Sequence, residues 1–278
     1  MTQAVRIIGG GRAGGAMAVA LAEVGWQVRP ILGRAAPPGE VAAAAADVDL
    51  VLIATPDAVV ADMAAAVEPS ATAAVAHLAG ALGLDAVAPH SRAAALHPLV
   101  ALPDATVGAR RLLAGAWFAV AGDRIVRQVV ADLGGRAFEV ADGDRAAYHA
   151  AAVIASNHLV ALLGQAERIG AQAGVELAAL LDLVRATVDN VEELGPAAAL
   201  TGPAARGDEA TVERHLGAIA PAEHPAYRAL ADEARRLAGR AQEAERIGAR
   251  ERPSRARPWP ERPVSGANKS GNDDAVTP

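Results

Sequence analysis

The 278-residue chain contains no cysteine. Disulfides, thiolate catalysis and cysteine-ligated metal are therefore excluded, and a reducing compartment, the cytoplasm, is the expected setting. No metal site is expected. Lysine is almost absent as well: Lys269, near the end of the chain, is the only one. A lysine acid or base within the patterned part is thereby ruled out. Aromatic residues make up only 3%, so the cores must rest on Ala, Val and Leu and must favour close approach between elements. Basic charge is not in excess. The net charge of -6 argues against a nucleic-acid partner. A strand pattern begins by Val5, so no signal peptide is expected. The most apolar run, 146–163, holds Tyr148, His149, Ser156, Asn157 and His158. So many polar groups suit a buried helix and not a membrane span.

What is present falls into three parts. Short apolar runs at 5–9, 28–32, 50–54, 73–77 and 94–97 read as strands, with helical patterns between several of them, notably 14–24 and 58–67. A further strand at 117–120, a helix at 124–133 and a strand at 136–140 complete the series, with Gly134-Gly135 as a stop. Strand–helix alternation predicts an α/β domain with a parallel sheet covered on both faces. After Asp142 the pattern is helical only. Asp142 or Asp144 is expected to cap a long helix running towards Gly174, and Asp208 to cap another at 209–219. The expected domains are 1–141 (α/β), 142–247 (all helical, for substrate and dimer contacts) and 248–278. The last stretch is rich in Pro, Arg, Gly, Ser and Asp, and is expected to be a disordered tail.

The first strand runs into Gly9-Gly-Gly-Arg-Ala-Gly14 and then a helix. Each glycine has its own task in a dinucleotide loop. Gly9 permits the tight turn, Gly11 lets a pyrophosphate reach the backbone, and Gly14 lets helix and strand pack closely. The helix N-terminus then offers free N–H groups and the positive end of its dipole. An NAD site usually has an acidic residue at the end of the second strand. Here Gly33-Arg34 stands there instead. Arg34, with help from Arg12, fits the 2′-phosphate of NADP through a forked, charge-assisted contact. NADP (NADPH) is therefore the expected cofactor. Thr55-Pro56, after the third strand, is expected to line the nicotinamide-ribose side.

Two histidines close later strands: His77 and His97, the latter before Pro98. Strand C-termini are where ligands sit in open α/β sheets. An imidazole can hand a proton to a carbonyl oxygen as hydride arrives, or take it back. His97 is a candidate for that role or a structural residue; His77 reads as structural or as a cofactor contact. On the long helix, His149 and Ser156 lie roughly 20° apart on an ideal wheel, and Asn157 about 80° from His149. This polar arc is either a face towards a cleft or a set of satisfied interior groups. His158 points away from it.

These residues resemble a known family. Gly9-Gly-Gly-Arg-Ala-Gly14, His77-Leu-Ala-Gly-Ala81, Leu96-His-Pro-Leu99, Tyr148-His-Ala-Ala-Ala-Val-Ile-Ala-Ser-Asn157 and Leu200-Thr-Gly-Pro-Ala-Ala-Arg-Gly-Asp208 are similar to bacterial proteins that join a Rossmann-like domain to domain of unknown function 2520. The resemblance implies a Rossmann dinucleotide-binding domain followed by an all-α domain like the C-terminal domain of 6-phosphogluconate dehydrogenase. Such helical domains often form homodimers, with the active site in the interdomain cleft. His97-Pro98 also looks like the His-Pro of prephenate dehydrogenases, where the histidine serves hydride transfer. In 3-hydroxyisobutyrate and 6-phosphogluconate dehydrogenases a catalytic lysine precedes an asparagine by four residues. If Asn157 matches that asparagine, the lysine position is Val153. The proton donor is then left to His97, His149, Tyr148 or water. The family usually has serine where this chain has Ala79.

The expected function is an NADP-dependent oxidoreductase acting on a small carbonyl, alcohol or imine. His97 would be the acid/base, with His149, Ser156 and Asn157 positioning substrate. Thr201 and Arg206 form part of a turn before a helix. Arg206 is a candidate to hold the carboxylate of a 2-oxo acid; the plainer alternative is that Pro203 and Asp208 only shape and cap that turn. A non-catalytic NADP(H)-binding sensor is the rival reading, favoured by Ala79 and the missing lysine. A transferase using a nucleotide in the same loop is a third.

Overall fold

The computed structural model describes residues 2–248. The tail expected from residue 248 onward lies outside them, apart from Gly248 itself. Seven strands form one sheet: β1 (Ala4–Ile8), β2 (Gln27–Val28), β3 (Leu50–Ile53), β4 (Ala74–His77), β5 (Ala93–Leu99), β6 (Trp117–Gly122) and β7 (Arg136–Glu139). Their order is β2-β1-β3-β4-β5-β6-β7. All neighbours pair in parallel except β5 and β6, which are antiparallel. Five helices accompany the sheet: α1 (Arg12–Glu23), α2 (Pro38–Ala42), α3 (Val60–Ala66), α4 (Ala105–Leu113) and α5 (Ile125–Asp132).

The sheet is buried on both faces, and its residues show this directly. Along β3, Leu50 and Leu52 enter one apolar layer, with Met17 and Leu112. Val51 and Ile53 enter the other, with Val60 and Ala64. Successive strand side chains point to opposite faces, so a strand covered twice must be apolar at every position. The scarcity of aromatics has its counterpart where α1 meets α4. A Cβ at Gly108 would sit 2.7 Å from Ala16 Cβ, and one at Gly15 3.1 Å from Ala105 Cβ. Small residues let these helices pack almost backbone to backbone.

Three local expectations are corrected. The second strand is only Gln27–Val28, because Pro30 has no N–H to donate; pairing returns as a single bridge between Ile8 and Leu32. The fifth strand continues through Pro98 to Leu99. Proline is tolerated there because β4 pairs only with Ala93 to Ala95, so no ladder bond is lost on that side. Helix α4 has no counterpart among the expected elements. It is started by Asp104, whose carboxylate accepts from Val107 N at 2.8 Å.

After β7 every described element is helical: α6 (Arg145–Val153), α7 (Leu159–Gln172), α8 (Leu177–Leu194), α9 (Pro196–Ala199), α10 (Pro203–Arg206), α11 (Glu209–Ala218) and α12 (His224–Gly248). Helices α6 and α7 are joined by a π-helical turn, Ile154–His158. Asp142 and Asp144 do not cap α6 through their side chains; the Asp142 carboxylate accepts from Leu84 N instead. Asp208 does cap α11, accepting from Thr211 N at 3.1 Å and from its hydroxyl at 2.7 Å.

The chain divides into two compact units, Met1–Gly164 and Gln165–Pro278, so the division falls inside α7. The expectation of a buried helix at 146–163 is overturned. The span Asp142–Gln172 is long and apolar enough to cross a membrane by length and composition, and none of its most apolar window is buried. Ile154 and Val160 are exposed. The second unit has the same character. It buries Val212, Leu216 and Ala231, while Leu183, Val188 and Leu194 on α8 stay exposed. The apolar surface of these helices exceeds what their own chain covers.

Candidate active site

The glycine loop has the predicted geometry. Gly9 has φ +110°, and a Cβ there would lie 2.6 Å from Ala54 O. Gly14 is tighter: its Cβ would lie 1.9 Å from Gly9 O. Both glycines are demanded by the protein's own backbone. Gly11 differs, for a Cβ there would meet no neighbour and its φ is -72°. Among the described residues nothing requires glycine at that place. The loop is pinned at Gly9, whose N–H donates to Leu32 O at 2.8 Å. That bond brings Gly33 and Arg34, just beyond the bridge, beside the loop. Arg34 is exposed.

An open cleft of about 520 Å³ lies at the loop, lined by Gly11, Arg12, Thr55, Pro56, Leu102 and Ser156 among others. Gly11 is the N-cap of α1 and no side chain caps that end, so helix donors face the cleft. Thr55 Oγ1 is buried without a hydrogen-bond partner. These residues fit a dinucleotide: an uncapped helix start, a glycine with space above it and an unspent hydroxyl.

A second group of side chains gathers at the end of β5, in the same unit. The His97 ring meets Tyr148 edge-on at 5.5 Å and His149 edge-on at 5.6 Å between ring centroids. His97 Nδ1 lies 2.5 Å from the Tyr148 hydroxyl. A Cβ at Gly80 would lie 2.3 Å from His149 Nδ1 and 2.9 Å from His97 Nε2, so only glycine lets the segment after β4 pass over both imidazoles. Burial drives the His97 pKa down to about 4, with further lowering by His149, Arg145 and His77. The imidazole is therefore neutral at neutral pH. Burial pushes Tyr148 up to about 12, so its hydroxyl keeps its proton.

The remaining predicted residues are distributed as follows. His77 is fully buried; its Nε2 is 3.1 Å from Gly83 O, and burial lowers its pKa. It does not line the cleft. Ser156 does, whereas Asn157 is exposed outside it. The arc expected from an ideal wheel is thus split: His149 joins His97, and Ser156 joins the glycine cleft. Seven residues of helix separate the two by roughly 10 Å along the axis, so one face serves two places. Ala79 packs in the apolar layer with Val75 and Ile53. Thr201 and Arg206 are exposed in the second unit.

One group escaped the sequence reading. Arg145, at the start of α6, has a fully buried side chain, and Nε and both terminal nitrogens have no hydrogen-bond partner. The signal was the spacing Asp142, Arg145, Tyr148, His149 at the head of an apolar helix, which places them on one face.

Residues 118–234 match the family model described as Domain of unknown function (DUF2520). The match begins in β6, so it takes in the last two strands as well as the helices. Among curated proteins none matches. Solved structures share the fold of a Rossmann domain followed by helices. One, from Bacteroides fragilis, is provisionally named an NADP oxidoreductase; it is 19% identical, with a TM-score of 0.70 over 84% of this chain and 98% of its own. A protein from Thermotoga maritima is 25% identical, with a TM-score of 0.65 over 87% and 99%. A reductive aminase from Aspergillus terreus, solved with NADPH and ethyl levulinate, is 18% identical, with a TM-score of 0.62 over 89% and 95%.

Proposed function

We propose that this chain is an NADP(H)-dependent oxidoreductase acting on a small carbonyl or alcohol, or on an imine. The observation that carries this reading is Gly11. It is a glycine that the protein's own packing does not need, placed at an uncapped helix start over an open cleft. A ligand backbone approaching the loop explains the residue. The reductive aminase, solved with NADPH, supports the choice of cofactor and of reaction class.

In this proposal Gly9 to Gly14 and the N-terminus of α1 hold the pyrophosphate. Arg34 and Arg12 hold the 2′-phosphate, and Thr55 and Pro56 lie along the ribose. When bound, the nicotinamide supplies or accepts the hydride. His97 would give its Nε2 hydrogen to the substrate as Nδ1 takes the Tyr148 hydroxyl proton, and the reverse in oxidation. Tyr148 donates to His97 Nδ1 and fixes the ring, so Nε2 carries the imidazole hydrogen. His149 and Ser156 border the reacting region, with Asn157 beyond them. A cytoplasmic location and a homodimer belong to the same proposal, a second copy covering the exposed apolar residues of α7 and α8.

Parallel calorimetric titration of the purified chain with NADPH and NADH tests the reading. Tight NADPH binding with much weaker NADH binding is expected. If neither binds, the oxidoreductase reading falls.

A further inference from the structure

A buried guanidinium is costly unless charge and hydrogen bonds compensate it. Arg145 has little of either. Its side chain is wholly buried, and none of its guanidinium nitrogens has a hydrogen-bond partner among the described residues. One carboxylate is near, that of Asp142, with Oδ1 3.7 Å from Nε. That is an ion-pair distance and too long for a hydrogen bond. The other oxygen of Asp142 is engaged elsewhere, accepting from Leu84 N at 3.1 Å, and the Asp142 side chain is half exposed.

The surroundings show where this charge acts. Beside the larger effect of burial, the charge of Arg145 adds to the lowering at His77 and His97 and works against the rise at Tyr148, so its field falls on the proposed acid/base group and its partner. Tyr148 is three residues further along the same helix face. The ionisable groups that interact with Arg145 are the neutral imidazoles of His77 and His97, the protonated phenol of Tyr148 and the partly exposed Asp142. The cluster has a cation and donors to spare, and it is short of an anion.

We infer that Arg145 is the recognition site for a carboxylate on the substrate, which would take the guanidinium from Asp142 and bring the substrate to the His97–Tyr148 pair. The planar fork of arginine matches a carboxylate with two parallel N–H···O bonds. The substrate class is thus narrowed to small carboxylate-bearing carbonyl, alcohol or imine compounds. This rests on the oxidoreductase reading for the reaction but not for the binding.

The test is calorimetric titration of the full chain, with and without saturating NADPH, using oxamate and its uncharged counterpart oxamide. Oxamate should bind, and oxamide at least about tenfold more weakly. Arg145→Met should weaken oxamate on the order of tenfold or more, with NADPH affinity unchanged. Asp142→Asn removes the competing carboxylate from a partly exposed position and should tighten oxamate several-fold. This variant decides the matter if Arg145→Met does not fold. Equal affinities for oxamate and oxamide, an Arg145→Met chain that binds oxamate like the parent, or an unchanged affinity in Asp142→Asn would each overturn the inference. The NADPH titration reports separately: loss of NADPH binding with Arg145-dependent oxamate binding retained would remove the oxidoreductase reading and leave the carboxylate site standing.

Discussion

His97 Nδ1 and the Tyr148 hydroxyl lie 2.5 Å apart, joining the end of a strand to the first helix of the helical region. The pair has one proton to share at this contact. Tyr148 is held protonated by burial and His97 is held neutral by it. Tyr148→Phe keeps the ring packing and removes the bond. Turnover, once a substrate is found, should fall by about a hundredfold, with NADPH affinity unchanged in calorimetry. Unaltered turnover would take Tyr148 out of the proton path.

The same burial makes stability depend on pH. In the unfolded chain His97 titrates near 6.5, and in the folded chain near 4. Between those values the unfolded state takes up a proton that the folded state refuses. Stability must therefore fall as pH drops from about 6.5 to 4, by up to about 1.4 kcal/mol per pH unit from this one group. His97→Gln should flatten that slope in urea unfolding series. An identical pH dependence in the variant would count against a buried, neutral His97.

Gly14 and Gly11 should separate under mutation to alanine. Gly14→Ala drives a methyl into Gly9 O, and should cost about 2 kcal/mol or more in unfolding free energy. Gly11→Ala meets nothing in the protein. It should leave the melting temperature within a degree or two and weaken NADPH by about tenfold. A Gly11→Ala chain with full NADPH affinity would mean that no ligand backbone approaches there.

Arg34→Ala should discriminate between cofactors. Arg34 is exposed and lies just past the bridge that pins the glycine loop. Loss of a charge-assisted contact to the 2′-phosphate should weaken NADPH by about tenfold or more and NADH hardly at all. Equal weakening of both would show that Arg34 does not read the 2′-phosphate.

The alternation of apolar strands and helices up to β7, the strictly helical remainder and the distinct tasks of Gly9 and Gly14 were all legible in the sequence. Each is a local matter: strand period, helix period, or a backbone turn within a few residues. Three things were not. The burial of Arg145 was not legible because an arginine at the start of a helix is ordinarily solvated, and its spacing with Tyr148 and His149 marks a shared face without saying that the face is covered. The split of the polar arc was invisible because a helical wheel records direction around the axis and not the rise of roughly 10 Å between residues seven apart. The exposure of the apolar run at 146–163 could not be read from composition, since hydrophobicity states that a surface should be covered but not by what. Local chemistry thus determined the elements and the glycine turn. Tertiary packing alone decided which histidine met which tyrosine, and where a positive charge was left short of a partner, because burial and contact depend on residues distant in the chain.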